Sequence, residues 1–146
     1  EASMIVRFAG IGEILALRDA VIIQGTGRAP GFPGDEDPAT RHIGVFDEGA
    51  CTGCATFMRN RFEERDAWQL RGMASAPERR GEGIGRALLD FAERELPLLG
   101  PGVFWCNARA SAAPFYEKMG WRVVSDRFMK PGVGPHFRMV KELEQV

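Results

Sequence analysis

Leu70-Arg71-Gly72-Met73-Ala74-Ser75-Ala76-Pro77-Glu78-Arg79-Arg80-Gly81-Glu82-Gly83-Ile84-Gly85-Arg86-Ala87-Leu88-Leu89 begins apolar, breaks at Pro77 and runs through a basic loop spaced by glycines. From Ile84 onward, apolar residues recur at Ala87, Leu88, Phe91 and Ala92, which is one face of a helix. The stretch reads as strand, tight loop and helix N-terminus. Gly81, Gly83 and Gly85 let the backbone approach a ligand closely. The helix start presents unsatisfied N–H donors and a partial positive charge. Together these features make a phosphate cradle. Arg79, Arg80 and Arg86 add formal positive charge around it.

A glycine loop alone does not identify the phosphate ligand, but spacing tests the alternatives. The nucleotide P-loop needs a Lys followed by Ser or Thr after its last glycine, and none is present. The dinucleotide fingerprint needs G-x-G-x-x-G with an acid about twenty residues on. Here the glycines run G-x-G-x-G, and the region near Pro101 holds no acid. What remains is Arg80-x-x-Gly83-x-Gly85. This resembles the acetyl-CoA pyrophosphate loop of the GCN5-related N-acetyltransferases, the GNAT family. An ordinary glycine loop before a helix would share the local pattern, so a second motif is needed.

Ala113-Pro114-Phe115-Tyr116-Glu117-Lys118-Met119-Gly120-Trp121 supplies it. It resembles the A-x-x-F-Y-x-x-x-G-F segment of the same family and follows the glycine loop in the expected order. The resemblance covers residues 40–143 well; the first 40 match only in element order. It implies an α/β domain over residues 4–146. Its sheet is mixed and twisted, with helices on both faces and a splay between two central parallel strands, 68–74 and 103–108. It also implies a division of labour. The backbone of Met73, Ala74 and Ser75 would pair with the pantetheine arm of acetyl-CoA. The amides from Arg80 through Gly81, Glu82, Gly83, Ile84 and Gly85 to Arg86, with Arg79 beside them, would hold the pyrophosphate. Asn107 would bond the pantetheine amides, and Ala113, Phe115 and Tyr116 would flank the cofactor. The family usually has Val where Ser75 stands, a mild departure at a position that works through its backbone.

The chemistry can be followed independently. An amine attacks a thioester carbonyl and an oxyanion develops, which an N–H from the Met73–Ala74 region would stabilise. A simple thiol has a pKa of about 8.5, so an acid eases departure of the thiolate. Tyr116, the only tyrosine in the chain, is a competent donor; its alternative is to pack beside Phe115. The base that takes a proton from the amine stays open. His136, in Gly134-Pro135-His136, is the best side chain for it, in a segment resembling the G-x-P-H-x-x-M of one acetyltransferase subgroup. A structural role for His136, or Glu64, Asp66 or a water chain as base, competes. His42 opens a strand without a motif and reads as structural.

Around these motifs the chain reads as a series of short elements. Met4 to Phe8 is a strand and 14–22 a helix. The Gly- and Pro-rich Gly25–Thr40 is a long loop bordering the acceptor pocket, and its Asp35-Glu36-Asp37 reads as a solvated face. Strands at 42–46 and 50–58 flank an Asp47-Glu48-Gly49 turn. The helix after the glycine loop ends near Leu96, before Pro97. Val103–Ala108 is apolar enough to be buried on both faces. Ser111 is placed to cap a helix over 112–119. Closing strands are expected at 121–124 and 137–141. Trp68, Trp105 and Trp121 read as core.

With 146 residues, 45% of them hydrophobic, the chain suits one core. A net charge of −1 gives no basic field for nucleic acid or membrane. No apolar run approaches a membrane span or a signal peptide. Cys51, Cys54 and Cys106 suggest free thiols in a reducing cytoplasm. Cys51-x-x-Cys54 lacks the further ligands of a zinc site, and on a regular strand the two would face opposite sides, so no metal is expected. Glu1-Ala2-Ser3 reads as an expression remnant. The expected activity is acetyl transfer from acetyl-CoA to a small-molecule or peptide amine, with a homodimer possible. A catalytically silent acyl-CoA-binding sensor or interaction module on the same fold is the alternative.

Overall fold

A computed structural model describes residues 4–143; the reading of residues 1–3 lies outside them. In chain order the elements are β1 (Met4–Ala9), α1 (Ile11–Arg18), β2 (Arg41–Asp47), β3 (Ala50–Arg59), β4 (Trp68–Ser75), α2 (Ile84–Glu95), β5 (Val103–Arg109), α3 (Ala113–Lys118), β6 (Arg122–Val123), β7 (Phe128–Lys130) and β8 (Gly134–Glu142). The strands form one mixed sheet in the order β1-β2-β3-β4-β5-β8-β6, with β7 also on β8. All neighbours are antiparallel except β4 and β5. That exception arises because α2 is the crossover between them.

Strand alternation sorts the core into two layers. Ile43 and Val45 of β2, Phe57 of β3 and Leu70 of β4 turn to one face, where Ile84, Leu88, Leu89 and Ala92 of α2 cover them. Gly53 makes this approach possible, because any Cβ there would collide with Ile84. Ala113 and Tyr116 of α3 join the same layer. On the opposite face, Ile14 of α1 packs on Cys54 and Ala74. Helices therefore cover both faces, as the resemblance implies. Among the described residues no helix is long and apolar enough to cross a membrane.

Several local expectations need correction. Cys51 and Cys54 do not face opposite sides: both pack in the α1-side cluster. The ladder passes from Val45↔Gly53 to Phe46↔Cys51, so Thr52 is an extra residue and the bulge reverses the alternation. Ser111 caps nothing. It lies inside a short turn, Ala110–Ala112, and α3 begins after Ala112 with no side-chain cap. The strand expected at 121–124 shrinks to Arg122–Val123, while Trp121 is buried ahead of it. β7, expected as loop, pairs with Gly134–His136 of a longer β8. The first helix starts earlier than expected, at Ile11, and loosens after Arg18 into a wider turn, where the Gln24 N–H donates to the Asp19 carbonyl at 2.8 Å.

Candidate active site

β4 and β5 pair only at Trp68↔Phe104 and Gln69↔Trp105. Beyond Gln69, β4 turns away. Its pairing with β3 jumps from Thr56↔Arg71 to Cys54↔Ala74, and Gly72 at the jump has a left-handed φ of 66°. The bulge leaves the β5-facing edge of Met73–Ser75 without a strand partner among the described residues. The gap is a cleft of about 320 Å³ that runs between the two faces of the sheet. Cys106, Ala108, Ala112 and Tyr116 line it on the α2–α3 side. Arg71, Lys130 and His136 line it on the α1 side.

At the α2 mouth sits the glycine loop. Gly83 immediately precedes α2, with a φ of 81°, and its carbonyl accepts from the Ala87 N–H at 3.0 Å. Gly81 has a φ of 86°, and open space lies where a side chain on either glycine would project. Only glycine adopts such φ values without strain. The free N–H groups at the start of α2 and this open space fit the pyrophosphate of acetyl-CoA. Gly85 serves another purpose: the Phe115 ring stands 3.1 Å from where its Cβ would be. Phe115 is thus spent on seating α3 against α2, and Ala113 is core.

Arg79 departs from the expected role. Its guanidinium is held by Asp47 and Glu82, and these bonds raise its pKa. It pins the glycine loop to the β2–β3 turn rather than offering charge to a ligand. Arg80 is exposed and lines the cleft; Arg86 is exposed beside Asp90. Asn107 lines the cleft too, with its Oδ1 accepting from Arg138 Nε at 3.1 Å, which leaves its amide group to donate.

Tyr116 and His136 reach the cleft from opposite faces of the sheet. The Tyr116 ring lies edge-on to Phe115, with centroids 5.3 Å apart, and against Trp121. Burial, and secondarily Cys106, pushes its phenol pKa upward, so it stays protonated. The His136 ring stacks on Phe128, and Nδ1 lies 2.8 Å from the Gly134 carbonyl. A carbonyl only accepts, so Nδ1 carries the hydrogen and Nε2 of the neutral ring keeps its lone pair. Glu64 and Asp66 do not line the cleft. His42 is structural as read: Nδ1 meets the Thr56 hydroxyl at 2.8 Å and Nε2 the Asp35 carbonyl at 2.9 Å. Among the described residues no group of His, Cys, Asp or Glu is gathered that could hold a metal ion.

Sequence reasoning missed the α1-side wall. Arg18 is fully buried. It donates to Asp35 at 3.1 Å and to the Thr56 hydroxyl at 3.0 Å, and its Nε has no partner among the described residues. Asp35 therefore does not belong to a solvated face. Burial opposes its ionisation, but hydrogen bonds from Arg18 and the Phe32 N–H outweigh that and hold it below the usual carboxylate range. This ion pair ties the Gly25–Thr40 loop to α1 and sets Phe32 and Arg28 at the cleft. No local motif signals a buried arginine paired across 17 positions.

Comparison with known proteins gives the family and the fold. The pattern of a family described as Acetyltransferase (GNAT) domain matches residues 34–143. The chain is 35% identical over 112 residues to the uncharacterized N-acetyltransferase YitI of Bacillus subtilis, covering 75% of each. Escherichia coli ElaA superposes with a TM-score of 0.77 at 18% identity, over 95% of this chain and 99% of that one. An aminoglycoside 6′-N-acetyltransferase solved with coenzyme A superposes with a TM-score of 0.75 at 14% identity, over 97% and 99%. At such identities the two structures speak for the fold alone.

Proposed function

From the premise that the chain belongs to the GNAT acetyltransferase family, we propose that it moves an acetyl group from acetyl-CoA to an amine by direct attack on the thioester. The observation that carries this reading is the cleft itself. It opens at one mouth on a phosphate cradle and passes through the sheet between Tyr116 and His136. A cofactor on the α2 side and an amine on the α1 side would meet within it.

Acetyl-CoA, when bound, supplies the activated acetyl thioester. The N–H groups from Arg80 to Arg86 hold its pyrophosphate, and the unpaired edge of Met73, Ala74 and Ser75 with Asn107 aligns the pantetheine arm. Nε2 of His136 takes the proton that the ammonium must lose before it can attack. A backbone N–H of the Met73–Ala74 region, aimed by the Gly72 bulge, steadies the negative charge that builds on the carbonyl oxygen. The Tyr116 hydroxyl gives its proton to the departing sulfur and regains one from the nitrogen, which loses its second proton as the amide forms. Its raised pKa keeps that proton in place throughout the neutral range.

The reading is tested by detecting free CoA thiol across a panel of amines, with acetyl-CoA binding measured by calorimetry alongside. Amine-dependent thiol release is expected. Tight acetyl-CoA binding with no release across the panel would replace it with the silent sensor.

A further inference from the structure

The α1-side wall of the cleft is cationic. Arg28, Arg71, Arg109 and Lys130 line it together with His136. None of these four forms an ion pair with a carboxylate among the described residues. The carboxylate that faces them, Asp35, is engaged by Arg18 through both oxygens and by the Phe32 N–H at 2.7 Å. It favours the charge on Arg71 without bonding to it.

The wall is also held in shape. The Arg71 guanidinium lies over the Phe32 ring at 4.6 Å, and Arg18 over the same ring at 4.1 Å. Arg28 donates to the Ile22 carbonyl at 3.2 Å. Lys130 stands at the end of β7, opposite Gly134 of β8. Burial lowers the pKa of both Arg71 and Lys130, and the neighbouring cations lower them further: Arg18 and Arg28 at Arg71, and Arg71, Arg28 and Arg109 at Lys130. Like charges gathered in a half-buried concavity repel one another unless an anion enters. Arg80 of the glycine loop lines the same cleft, so the test has to separate the cofactor from the acceptor.

We propose that the acceptor is a small amine that itself carries a carboxylate or phosphate, held by Arg71 and Lys130 with Arg28 and Arg109 flanking, so that its amine lies toward His136. This rests on the acetyl-transfer reading above and names the substrate class of that site. A guanidinium and an ammonium binding one anion give charge-assisted hydrogen bonds, and they repel a polycationic acceptor.

Matched amine pairs test it: phenylalanine against phenethylamine for the carboxylate, and phosphoethanolamine against ethanolamine for the phosphate, with spermidine as the cationic control. The charged member of at least one pair should have a kcat/KM more than about 10-fold above its neutral partner, and spermidine should be the poorest substrate. The pair with the larger ratio identifies the anion. Arg71→Gln and Lys130→Gln should each raise KM for the anionic amine by about 10–100-fold with kcat nearly kept, and leave KM for acetyl-CoA within about twofold. Lys130→Glu should narrow or reverse the preference. Equal use of charged and neutral partners, or preference for spermidine, overturns the anion site while acetyl transfer stands. A rise in KM for acetyl-CoA instead of the amine assigns the cations to the cofactor and also overturns it. If no amine turns over, the acetyl-transfer reading falls. Calorimetry of the same pairs on CoA-loaded protein then decides the anion site alone, and equal affinity within each pair rejects it.

Discussion

Gly72 and Arg18 meet so closely that a Cβ on Gly72 would stand 2.6 Å from Arg18 Cδ, and 2.7 Å from the Phe32 ring. The kink that parts β4 from β5 is therefore built against a buried cation. Arg18, fixed by Asp35 and Thr56, fills the space under the bulge. The left-handed φ of 66° at Gly72 turns Met73 toward the cleft. Structure on the α1 side thus sets the geometry of the strand edge that would align the cofactor.

Gly72→Ala should accordingly damage both stability and activity. The left-handed backbone and the collision with Arg18 and Phe32 together cost about 1–3 kcal/mol. Urea unfolding should show that loss as a lower midpoint with an unchanged slope. Thiol release should fall further than stability explains, because Met73 moves. Wild-type stability together with wild-type turnover would mean that the bulge tolerates a side chain and aims nothing.

The uneven legibility of this chain has a physical pattern. The glycine loop, α2 and the mostly apolar β5 were readable because their chemistry is local: spacing, turn residues and a run of apolar residues. Tyr116 on α3 and Asn107 on β5 stood out through the family resemblance, and both line the cleft. The bulges at Thr52 and Gly72 were not, since a bulge is a relation between strands. Arg18 was hidden because an arginine on a helix normally reads as solvent-facing, and its partners lie at positions 35 and 56. Arg71 and Lys130 are distant in sequence and share a wall only once β7 pairs with β8. Ser111 misled for the opposite reason, as a good local capping signal overridden by the turn Ala110–Ala112.

The three cysteines should react in a fixed order. Burial pushes the thiols of Cys54 and Cys106 up to about 12, while Cys51 is raised less and is partly exposed. Only thiolates attack disulfide reagents readily. A chromogenic disulfide at pH 8 should therefore titrate Cys51 slowly and the other two only after unfolding. Rapid modification of all three in the native protein would contradict the packing of β3 and β5.

Gly83→Val probes the phosphate cradle. With open space around the position, the cost to the fold is the strain of φ 81°, about 1–2 kcal/mol. The cost to the ligand is larger, because the valine side chain occupies the space that the pyrophosphate would take. Calorimetry should show acetyl-CoA binding at least about tenfold weaker, equivalent to 1.4 kcal/mol. Unchanged affinity in a folded variant would remove the loop from the cofactor site.

Glu13 gives the N-terminus of α1 an acid limit. The Arg7 guanidinium first, and the Gly10 N–H at 2.8 Å second, pull its pKa from an ordinary 4.5 to about 2. A depressed carboxyl stabilises the fold at pH above its unfolded value, and that contribution fades as pH falls from 4.5 to about 2. The group is exposed, so salt should weaken the effect. The Glu13 carboxyl resonance should titrate near 2 in the wild type and move upward in Arg7→Gln. A wild-type midpoint near 4.5 would show that the capping bonds do not persist in solution.

Tyr116→Phe isolates a single proton. The ring supplies nearly all the packing against Phe115 and Trp121, so the variant should fold and unfold like the wild type. Acetyl-CoA affinity should hold, because the cradle and the β4 edge are untouched. If the hydroxyl protonates the departing sulfur, kcat and kcat/KM should fall together by about 10²–10⁴-fold, the mark of an interaction made only in the transition state. Its pH signature follows from burial. The phenol pKa lies above its ordinary value, so loss of its proton should not limit the rate at pH 7–9, and the profile should show no alkaline fall there that disappears in the variant. His136→Gln separates the partner role. It should lower kcat while leaving acetyl-CoA affinity nearly unchanged, because Nε2 accepts the proton that the ammonium loses. A kcat that His136→Gln leaves near wild type would move the base elsewhere. A kcat near wild type in Tyr116→Phe, with chemistry shown to be rate-limiting by single turnover, would mean that the thiolate leaves without help. Tyr116 would then be only a packed wall of the cleft.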